Sequence, residues 1–316
     1  MSGGKRVLLA EPRSFCAGVR RAIAIIDLAL EQHGAPVYVR KQIVHNHHVV
    51  SEFESRGVRF VDSEQEVPQG AVCVLSAHGV SPQVRRNADA RGLDVFDATC
   101  PLVAKVHQEA RRFARDGRTL LLIGHADHEE VEGTHGHAPD QTVIVETVAD
   151  AEALDLPPDA PVAYLTQTTL SVDETQDIIA VLRRRFTDLR GPAGDDICYA
   201  SQNRQDGIKA MVGRCDLVLV VGSNNSSNSI RMVEVARRHG SRAELVPDVR
   251  HFDPAWLAGV STVGVSAGAS APEILVDQLL DRLAELGYED TSVARVTTED
   301  IVFSPPTRLT GPTDVP

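Results

Sequence analysis

The sequence predicts an α/β protein built on small, mostly parallel sheets. Short β-branched runs alternate with amphipathic stretches of helix length along the chain of 316 residues, and this alternation is typical of βαβ units. Two of the runs, TLLLIG and DLVLVVG, are continuously apolar, as expected of strands that helices cover on both faces. Several runs end in small or polar turns such as SAHGVSP and VGSNNSSNS, which is where ligands bind in open α/β sheets.

The individual elements follow from apolar periodicity and from the residues that interrupt it. The predicted strands are Val7–Ala10, Val37–Arg40, Ala71–Ser76, Thr119–Ile123, Thr142–Glu146, Val162–Thr166, Leu217–Val221, Ala243–Val246 and Thr262–Ser266. The predicted helices are Val19–Glu31, Gln83–Arg91, Val103–Arg115, Thr175–Arg185, Ile230–Arg238 and Glu273–Glu285. Ser81 and Ser270 are each followed closely by a proline, a pattern typical of a helix start. The proline-rich stretch from Ser304 onward is expected to be extended.

Charge and hydropathy exclude several classes of protein. Lys and Arg number 32 against 44 Asp and Glu, which gives a net charge of −12. We therefore expect no nucleic-acid binding, and an anionic substrate would need a local binding site. No apolar run approaches the ~20 residues of a membrane span, and the N-terminal residues do not resemble a signal peptide. A cytoplasmic protein with reduced cysteines and no membrane attachment is expected.

The five cysteines fall into two groups by their surroundings. Cys16, Cys100 and Cys198 lie in non-strand segments, RSFCAGV, DATCPLV and DICYASQN. Cys73 and Cys215 lie in or beside apolar strands, where a cysteine acts as a small hydrophobic residue. Three loop thiolates with one open position would suit an iron–sulfur cluster or a catalytic metal. The alternative is that all five are core cysteines, since no C-x-x-C pair is present.

The run GHADHEEVEGT places His125, His128 and Glu130 on one turn after a predicted strand. Its H-x-E order is typical of zinc deaminases, but the P-C-x-x-C partner is absent, and so is the H-E-x-x-H motif of zinc proteases. A carboxylic acid flanked by imidazoles would suit proton delivery. The alternative is a solvated loop. The neighbouring Glu129 and Glu132 are expected to tolerate replacement by glutamine.

Other polar loops provide candidate anion-binding groups. His45 and His78 follow strands, Ser226, Ser227 and Asn228 precede a helix, and Ser270 precedes another. Such helix N-termini bind phosphate through backbone N–H groups, although capping alone is the commoner use of these residues. The sequence contains neither G-x-G-x-x-G nor G-x-x-x-x-G-K-[ST]. A redox enzyme of this sequence would therefore take electrons from a partner protein.

Taken together, nine blocks of the chain resemble one family, the 4-hydroxy-3-methylbut-2-enyl diphosphate reductases (IspH/LytB family). The resemblance covers about residues 7–303 and rests on PRSFCAGV, YVRKQIVHN, SAHGVS, FDATCPLV, IGHADHEEVEGT, TQTTLSVDET, DICYASQNRQ, VGSNNSSNS and AGASAP, in that order. It implies three pseudo-symmetric α/β domains around a central iron–sulfur cluster. We assign these domains to 1–99, 100–195 and 196–288, followed by a C-terminal tail at 289–316.

The resemblance also implies a reaction and its residues. One [4Fe–4S] cluster would have Cys16, Cys100 and Cys198 as ligands and one open iron site for the substrate hydroxyl. The reaction would remove that hydroxyl as water, with two electrons and two protons, to give isopentenyl and dimethylallyl diphosphates, the last step of the methylerythritol phosphate pathway. The implied electron donor is a protein such as ferredoxin or flavodoxin. The implied catalytic residues are Glu130, His128 and Thr168, and the implied substrate-binding residues are His45, His78, His128, Thr168, Ser226, Ser227, Asn228 and Ser270.

Two other functions remain open at this point. One is a zinc-dependent hydrolase that uses the same cysteines, and the other is a phosphate-binding module with a structural metal. Ser201 departs from the family pattern, where a threonine is expected, and His47 and His48 have no assigned role. Because Glu130 would be buried near anionic groups, we expect it to be easier to protonate than a free glutamate.

Overall fold

A computed structural model describes residues 4–310 as an α/β protein. Its strands are β1 (Arg6–Glu11), β2 (Val37–Arg40), β3 (Val58–Val61), β4 (Val72–Leu75), β5 (Asp94–Asp97), β6 (Thr119–Ile123), β7 (Thr142–Val145), β8 (Val162–Thr166), β9 (Leu189–Arg190), β10 (Leu217–Val221), β11 (Arg242–Val246), β12 (Thr262–Ala267) and β13 (Asp290–Arg295). Its α-helices are α1 (Ala17–His33), α2 (His47–Ser55), α3 (Pro82–Ala90), α4 (Pro101–Arg115), α5 (Glu129–His135), α6 (Val148–Ala153), α7 (Val172–Arg185), α8 (Tyr199–Met211), α9 (Ser227–Arg238), α10 (Glu273–Glu285) and α11 (Thr307–Thr310).

The strands form three small sheets in which every pairing is parallel. Two sheets have four strands, in the orders β3-β2-β4-β5 and β7-β6-β8-β9, and the third has the order β11-β10-β12-β1-β13. All three therefore repeat one arrangement, with β1 inserted into the last. This confirms the prediction of an α/β fold with three small parallel sheets.

The chain divides into two compact units, which are described separately here. The first unit contains residues 4–17, 45–49 and 199–302 and holds the five-stranded sheet. Strand β1 lies between β12 and β13 in this sheet, with Leu8 opposite Gly264 and Ser292. The sheet therefore combines a strand from the predicted first domain, strands of the third, and β13 from the predicted tail. The domain limits given above remain predictions.

Apolar residues cover both faces of the five-stranded sheet. Leu219 and Val265 pack with Leu279 of α10 on one face, while Val218 and Val220 belong to a separate cluster on the other. This second cluster also contains residues of α8 and α9, namely Ile208, Met211, Met232 and Val233. The continuous apolar sequence of β10 is explained by this double burial.

The second unit contains residues 18–44, 50–198 and 303–310 and holds the two four-stranded sheets. In one of them Leu121 and Ile123 pack toward α7, and Leu120 and Leu122 pack toward α4 on the opposite face. In the other, Cys73 and Leu75 of β4 are fully buried. The two sheets thus supply strand ends from which loops of the second unit extend.

The structure confirms all nine predicted strands and all six predicted helices to within a few residues, and it adds elements that the apolar pattern had not indicated. The added strands are β3, β5, β9 and β13, and the added helices are α2, α5, α6, α8 and α11. Beyond Ser304 the chain is irregular as far as the short helix α11, and the rest of the predicted extended segment lies outside the described residues. Within residues 4–310, no helix has the length and apolar character needed to cross a bilayer.

Candidate active site

The three cysteines singled out by sequence occupy the same local position. Cys16 directly precedes α1, Cys100 directly precedes α4 and Cys198 directly precedes α8. All three are partly exposed. Each of these cysteines therefore lies at the start of a helix and outside the strands.

Cys73 and Cys215 have different surroundings. Cys73 lies in β4 and is fully buried, and Cys215 precedes β10 and directs its sulfur to the carbonyl oxygen of Met211 at 3.2 Å. Burial raises the pKa of both thiols to about 11. These two thiols are therefore protonated at neutral pH, as expected of packing residues. No disulfide forms among the five cysteines, all of which lie in the described part of the chain.

In the second unit, Glu130 is a buried acid bonded to Thr168. One carboxylate oxygen accepts a hydrogen bond from the Thr168 backbone N–H at 2.6 Å, and the other accepts one from the Thr168 hydroxyl at 3.0 Å. Glu130 is 2% exposed, and burial raises its pKa to about 7 although both bonds from Thr168 favour the ionised form. The expectation that Glu130 is easier to protonate than a free glutamate is confirmed.

Thr168 connects this acid to one of the cysteines. Its carbonyl oxygen accepts a hydrogen bond from the backbone N–H of Cys198 at 3.0 Å. The loop after β8 thereby contacts both the carboxyl of Glu130 and the backbone of Cys198. Three of the residues singled out by sequence, Glu130, Thr168 and Cys198, are brought together within one unit.

His128 caps helix α5 through its imidazole. Its Nδ1 accepts a hydrogen bond from the backbone N–H of Glu130 at 3.1 Å. Burial, together with the neighbouring His78 and His125, lowers the pKa of His128 to about 3. The ring is therefore neutral at pH 7, and because Nδ1 is the acceptor, its proton lies on Nε2. Glu130 belongs to the first turn of a helix, so the interpretation of this segment as a loop was wrong.

His78 pairs with Glu129, a residue to which sequence gave no role. His78 Nδ1 lies 3.0 Å from a carboxylate oxygen of Glu129, and both side chains are largely buried. The His78 ring also meets the edge of His128, with centroids 5.8 Å apart. Glu132, by contrast, is exposed and lies 3.5 Å from Arg40. The two glutamates are therefore not equivalent, and the expectation that both tolerate glutamine more readily than Glu130 remains a prediction.

The backbone that presents His78 is closely packed. Gly79 adopts φ +78°, and a Cβ at this position would lie 2.5 Å from Cε1 of His107 and 3.2 Å from Cγ2 of Thr99. A Cβ at Gly133 of α5 would lie 3.3 Å from the backbone of Gly79. His107 is itself buried, and burial lowers its pKa to about 3, so it packs as a neutral ring. Glycine at position 79 is required by both the positive φ and the close approach of His107.

In the first unit, the predicted anion-binding residues form one hydrogen-bonded network. The Asn228 carboxamide accepts from the backbone N–H of Ala269 at 2.8 Å and donates to the Ser201 hydroxyl at 3.2 Å. The Ser270 hydroxyl donates to the carbonyl oxygen of His45 at 3.0 Å and lies 3.3 Å from the hydroxyl of Ser226. The loops that carry His45, Asn228 and Ser270 are thus held together.

This network lies at the start of helix α9. Ser226 is the N-cap, its hydroxyl accepts from the backbone N–H of Ser229, and Ser227 is the first helical residue. A Cβ at either Gly222 or Gly268 would lie 2.1 Å from the Ser229 hydroxyl, so two strand ends approach this helix closely. A helix N-terminus lined by hydroxyl and amide groups can bind an anion.

Cys16 lies beside the same network. Its backbone N–H donates to the carbonyl oxygen of Ala269 at 3.1 Å, and Ala269 in turn donates to Asn228. Within the first unit the structure therefore groups Cys16 with the candidate diphosphate-binding residues. The candidate acid residues and the other two cysteines are grouped in the second unit.

Asp196 is a further buried acid that sequence reasoning missed. It is 5% exposed, accepts a hydrogen bond from the backbone N–H of Thr166 at 3.2 Å and lies 3.4 Å from the Lys105 ammonium. Burial raises its pKa to about 6, and its charge contributes to the raised pKa of Glu130. One signal for it in the sequence is the acidic pair of residues 195 and 196, which comes shortly before Cys198.

Known proteins are similar to this chain over nearly its whole length. A 4-hydroxy-3-methylbut-2-enyl diphosphate reductase from Rhodococcus jostii is 56% identical over 308 residues, which are 97% of this chain and 92% of that protein. The enzyme of the same name from Nocardia farcinica is 57% identical over 306 residues, 96% of this chain and 91% of that one.

A solved structure and a family profile complete the comparison. The structure of the E-1-hydroxy-2-methyl-but-2-enyl-4-diphosphate reductase from Plasmodium falciparum superposes with a TM-score of 0.94 at 35% identity and covers 97% of both chains. A sequence profile described as LytB protein matches residues 7–284. The chain therefore belongs to the LytB protein family.

Proposed function

We propose that this protein is a reductase that removes the hydroxyl group of (E)-4-hydroxy-3-methylbut-2-enyl diphosphate. The substrate takes up two electrons and two protons, its allylic C–O bond breaks, and water leaves with isopentenyl or dimethylallyl diphosphate as the product. The observation that carries the proposal is the buried Glu130, whose pKa is raised to about 7 and whose partner Thr168 bonds to the backbone of Cys198. The names of the close relatives support the same reaction.

The chemistry of the cysteines fits a [4Fe–4S] cluster with three protein ligands. Such clusters are held by thiolates, and Cys16, Cys100 and Cys198 are partly exposed at the starts of three helices. The raised pKa values of Cys73 and Cys215 make those two thiols poor ligands. When bound, the cluster supplies electrons and, at an iron without a protein ligand, a Lewis acid for the substrate oxygen.

The residues around Glu130 suit proton delivery to the leaving oxygen. A carboxyl with a pKa of about 7 is protonated in roughly half of the molecules at neutral pH, so it can act as a general acid. The Thr168 hydroxyl can relay the proton or bind the substrate hydroxyl, since a hydroxyl both donates and accepts. Neutral His128, protonated on Nε2, supplies a second donor.

The first unit supplies the groups that would hold the diphosphate. Ser226, Ser227 and Asn228 stand at the N-terminus of α9, and Ser270 is bonded to the backbone of His45. Backbone N–H groups and hydroxyl donors there would bind phosphate oxygens, and His45 would add a further hydrogen bond. The family resemblance also assigns His78, a residue of the second unit, to the diphosphate. Because the chain has a net charge of −12, a polyanionic substrate would depend on this local site for its binding.

The electrons would come from a small redox protein such as ferredoxin or flavodoxin, because the sequence has no dinucleotide-binding motif. We further propose that the protein works in the cytoplasm. The zinc-dependent hydrolase and the structural-metal module gain no support, since the relatives reported above are named as reductases.

One experiment tests the proposal directly. Protein purified without oxygen is analysed for iron, acid-labile sulfide and zinc, and is then supplied with the allylic diphosphate and an artificial reductant. The expected result is a brown protein with about four irons per chain that releases both isomeric diphosphates. A colourless protein that contains zinc, or an iron–sulfur protein that leaves the substrate unchanged, would contradict the proposal.

A further inference from the structure

The pairing of Glu129 with His78 has a consequence for substrate binding. His78 lies on the loop after β4 and Glu129 begins α5, 51 residues later in the second unit, and His78 Nδ1 approaches the carboxylate of Glu129 to 3.0 Å. An ionised carboxylate can only accept a hydrogen bond, so Nδ1 of His78 carries a proton in this contact. The nitrogen that meets a ligand must then be Nε2.

The geometry points to Glu129 as a positioning residue that directs Nε2 of His78 toward the substrate diphosphate, an inference that rests on the proposed function. A diphosphate oxygen can only accept a hydrogen bond, so Nε2 is the donor to it while Nδ1 is held by the Glu129 carboxylate. Glu129 thereby fixes the orientation of the ring.

The surrounding structure makes this contact specific. Glu129 is the first residue of α5, directly after the capping residue His128, and the backbone of His78 is fixed through the packing of Gly79 against His107. Both partners are largely buried, with side-chain exposures of 14% for His78 and 21% for Glu129. In metal sites, partners that orient a histidine ligand through its second nitrogen change the affinity by ~10–100-fold, and we expect the lower end of this range for an anion.

The same helix offers a matched control. Glu132 lies one turn further along α5, its side chain is 59% exposed, and its partner is Arg40 at 3.5 Å. Glu129→Gln and Glu132→Gln remove the same charge from the same helix. Only Glu129→Gln alters the contact with His78, so a difference between the two variants reports on that contact and not on net charge.

The test uses the anaerobically purified holoenzyme with its cluster. Inorganic diphosphate is titrated by calorimetry, and steady-state kinetics are measured with the allylic diphosphate and an artificial reductant. For Glu129→Gln we expect diphosphate affinity to fall about tenfold and KM to rise in proportion, with kcat changed less than about twofold. Iron content should equal that of the wild type. Glu132→Gln should match the wild type in all four measurements.

Three results would overturn the inference: wild-type diphosphate affinity in Glu129→Gln, equal losses in both variants, or a parallel fall of iron content and kcat without a change in KM. Should Glu129→Gln fail to fold, Glu129→Asp retains the carboxylate and is expected to keep measurable diphosphate binding and cluster content. Loss of diphosphate binding by Glu129→Asp with a full cluster would also refute the role of the carboxylate. If the wild type neither binds diphosphate nor reduces the substrate, it is the proposed function that fails.

Discussion

Replacing Glu130 by glutamine separates the proposed proton delivery from binding and folding. A glutamine side chain at position 130 can form hydrogen bonds to the same two groups as the glutamate. The carbonyl oxygen of the new side chain would accept from the Thr168 backbone N–H, and its amide would donate to the Thr168 hydroxyl, which can act as an acceptor. The substitution therefore retains both contacts of Glu130 and removes only the acidic proton.

The expected loss of activity follows from that single change. Removing a general acid typically lowers turnover by ~10²–10⁴-fold, and inorganic diphosphate should bind with wild-type affinity. The assay is anaerobic turnover with an artificial reductant, measured beside iron content. Turnover near that of the wild type would refute the role of Glu130 and leave Thr168 or a bound water as the proton source.

The pKa of Glu130 gives an independent measurement on the same variant. Folding raises this pKa from 4.5 to about 7, so the folded protein binds the proton more tightly than the unfolded chain does. The contribution of Glu130 to stability is therefore most favourable below pH 4.5 and declines as the pH rises to about 7, in total by about 3 kcal/mol. Glu130→Gln lacks this decline and should gain stability relative to the wild type between these pH values. The free energy of unfolding of both proteins is measured in urea at about pH 5 and at about pH 8. The same difference between variant and wild type at both pH values would contradict the raised pKa of Glu130.

Four other substitutions, one of them a control, test separate parts of the proposed site. Cys100→Ser should remove most of the iron and sulfide, whereas Cys73→Ser should keep the cluster and cost only ~1–3 kcal/mol of stability in urea; equal iron loss in both would contradict the ligand assignment. Asn228→Ala should weaken the binding of inorganic diphosphate in calorimetry by about tenfold or more without changing the cluster absorption, because its carboxamide joins two loops; unchanged affinity would move the phosphate site elsewhere. Gly79→Ala should lower stability by at least ~1–2 kcal/mol, because the positive φ disfavours a side chain and a Cβ there would also meet His107; an unchanged thermal midpoint would contradict both the strained φ and the close approach of His107.

Most of the fold was predictable because the central strands are apolar. β2, β6, β8 and β10 were predicted with their observed limits, since both of their faces are buried. The missed strands β3, β5, β9 and β13 lie at sheet edges, where one neighbour is absent and polar residues are tolerated. β13 shows this most clearly: five of its six residues, in DTSVAR, are exposed.

The residues of the candidate site were easier to predict than their contacts. A turn after a predicted strand identified Glu130, and non-strand surroundings singled out the three cysteines. Thr168 was named by the family resemblance. The pairing of His78 with Glu129 depends on how α5 begins, and α5 has only seven residues with an imidazole as its cap. Histidine is not a preferred capping residue, so the sequence carried no signal for this helix start.

Burial shifts the pKa values of the neighbours Glu130 and His128 in opposite directions, and the proposed roles of the two residues follow from these shifts. It raises the pKa of Glu130 to about 7 and lowers that of His128 to about 3, because in both cases it disfavours the charged form. At neutral pH, His128 is an uncharged donor that has no excess proton to release, and Glu130 still holds a transferable proton in about half of the molecules. On the proposed function, we therefore expect the proton that releases water to come through Glu130, with His128 orienting the substrate.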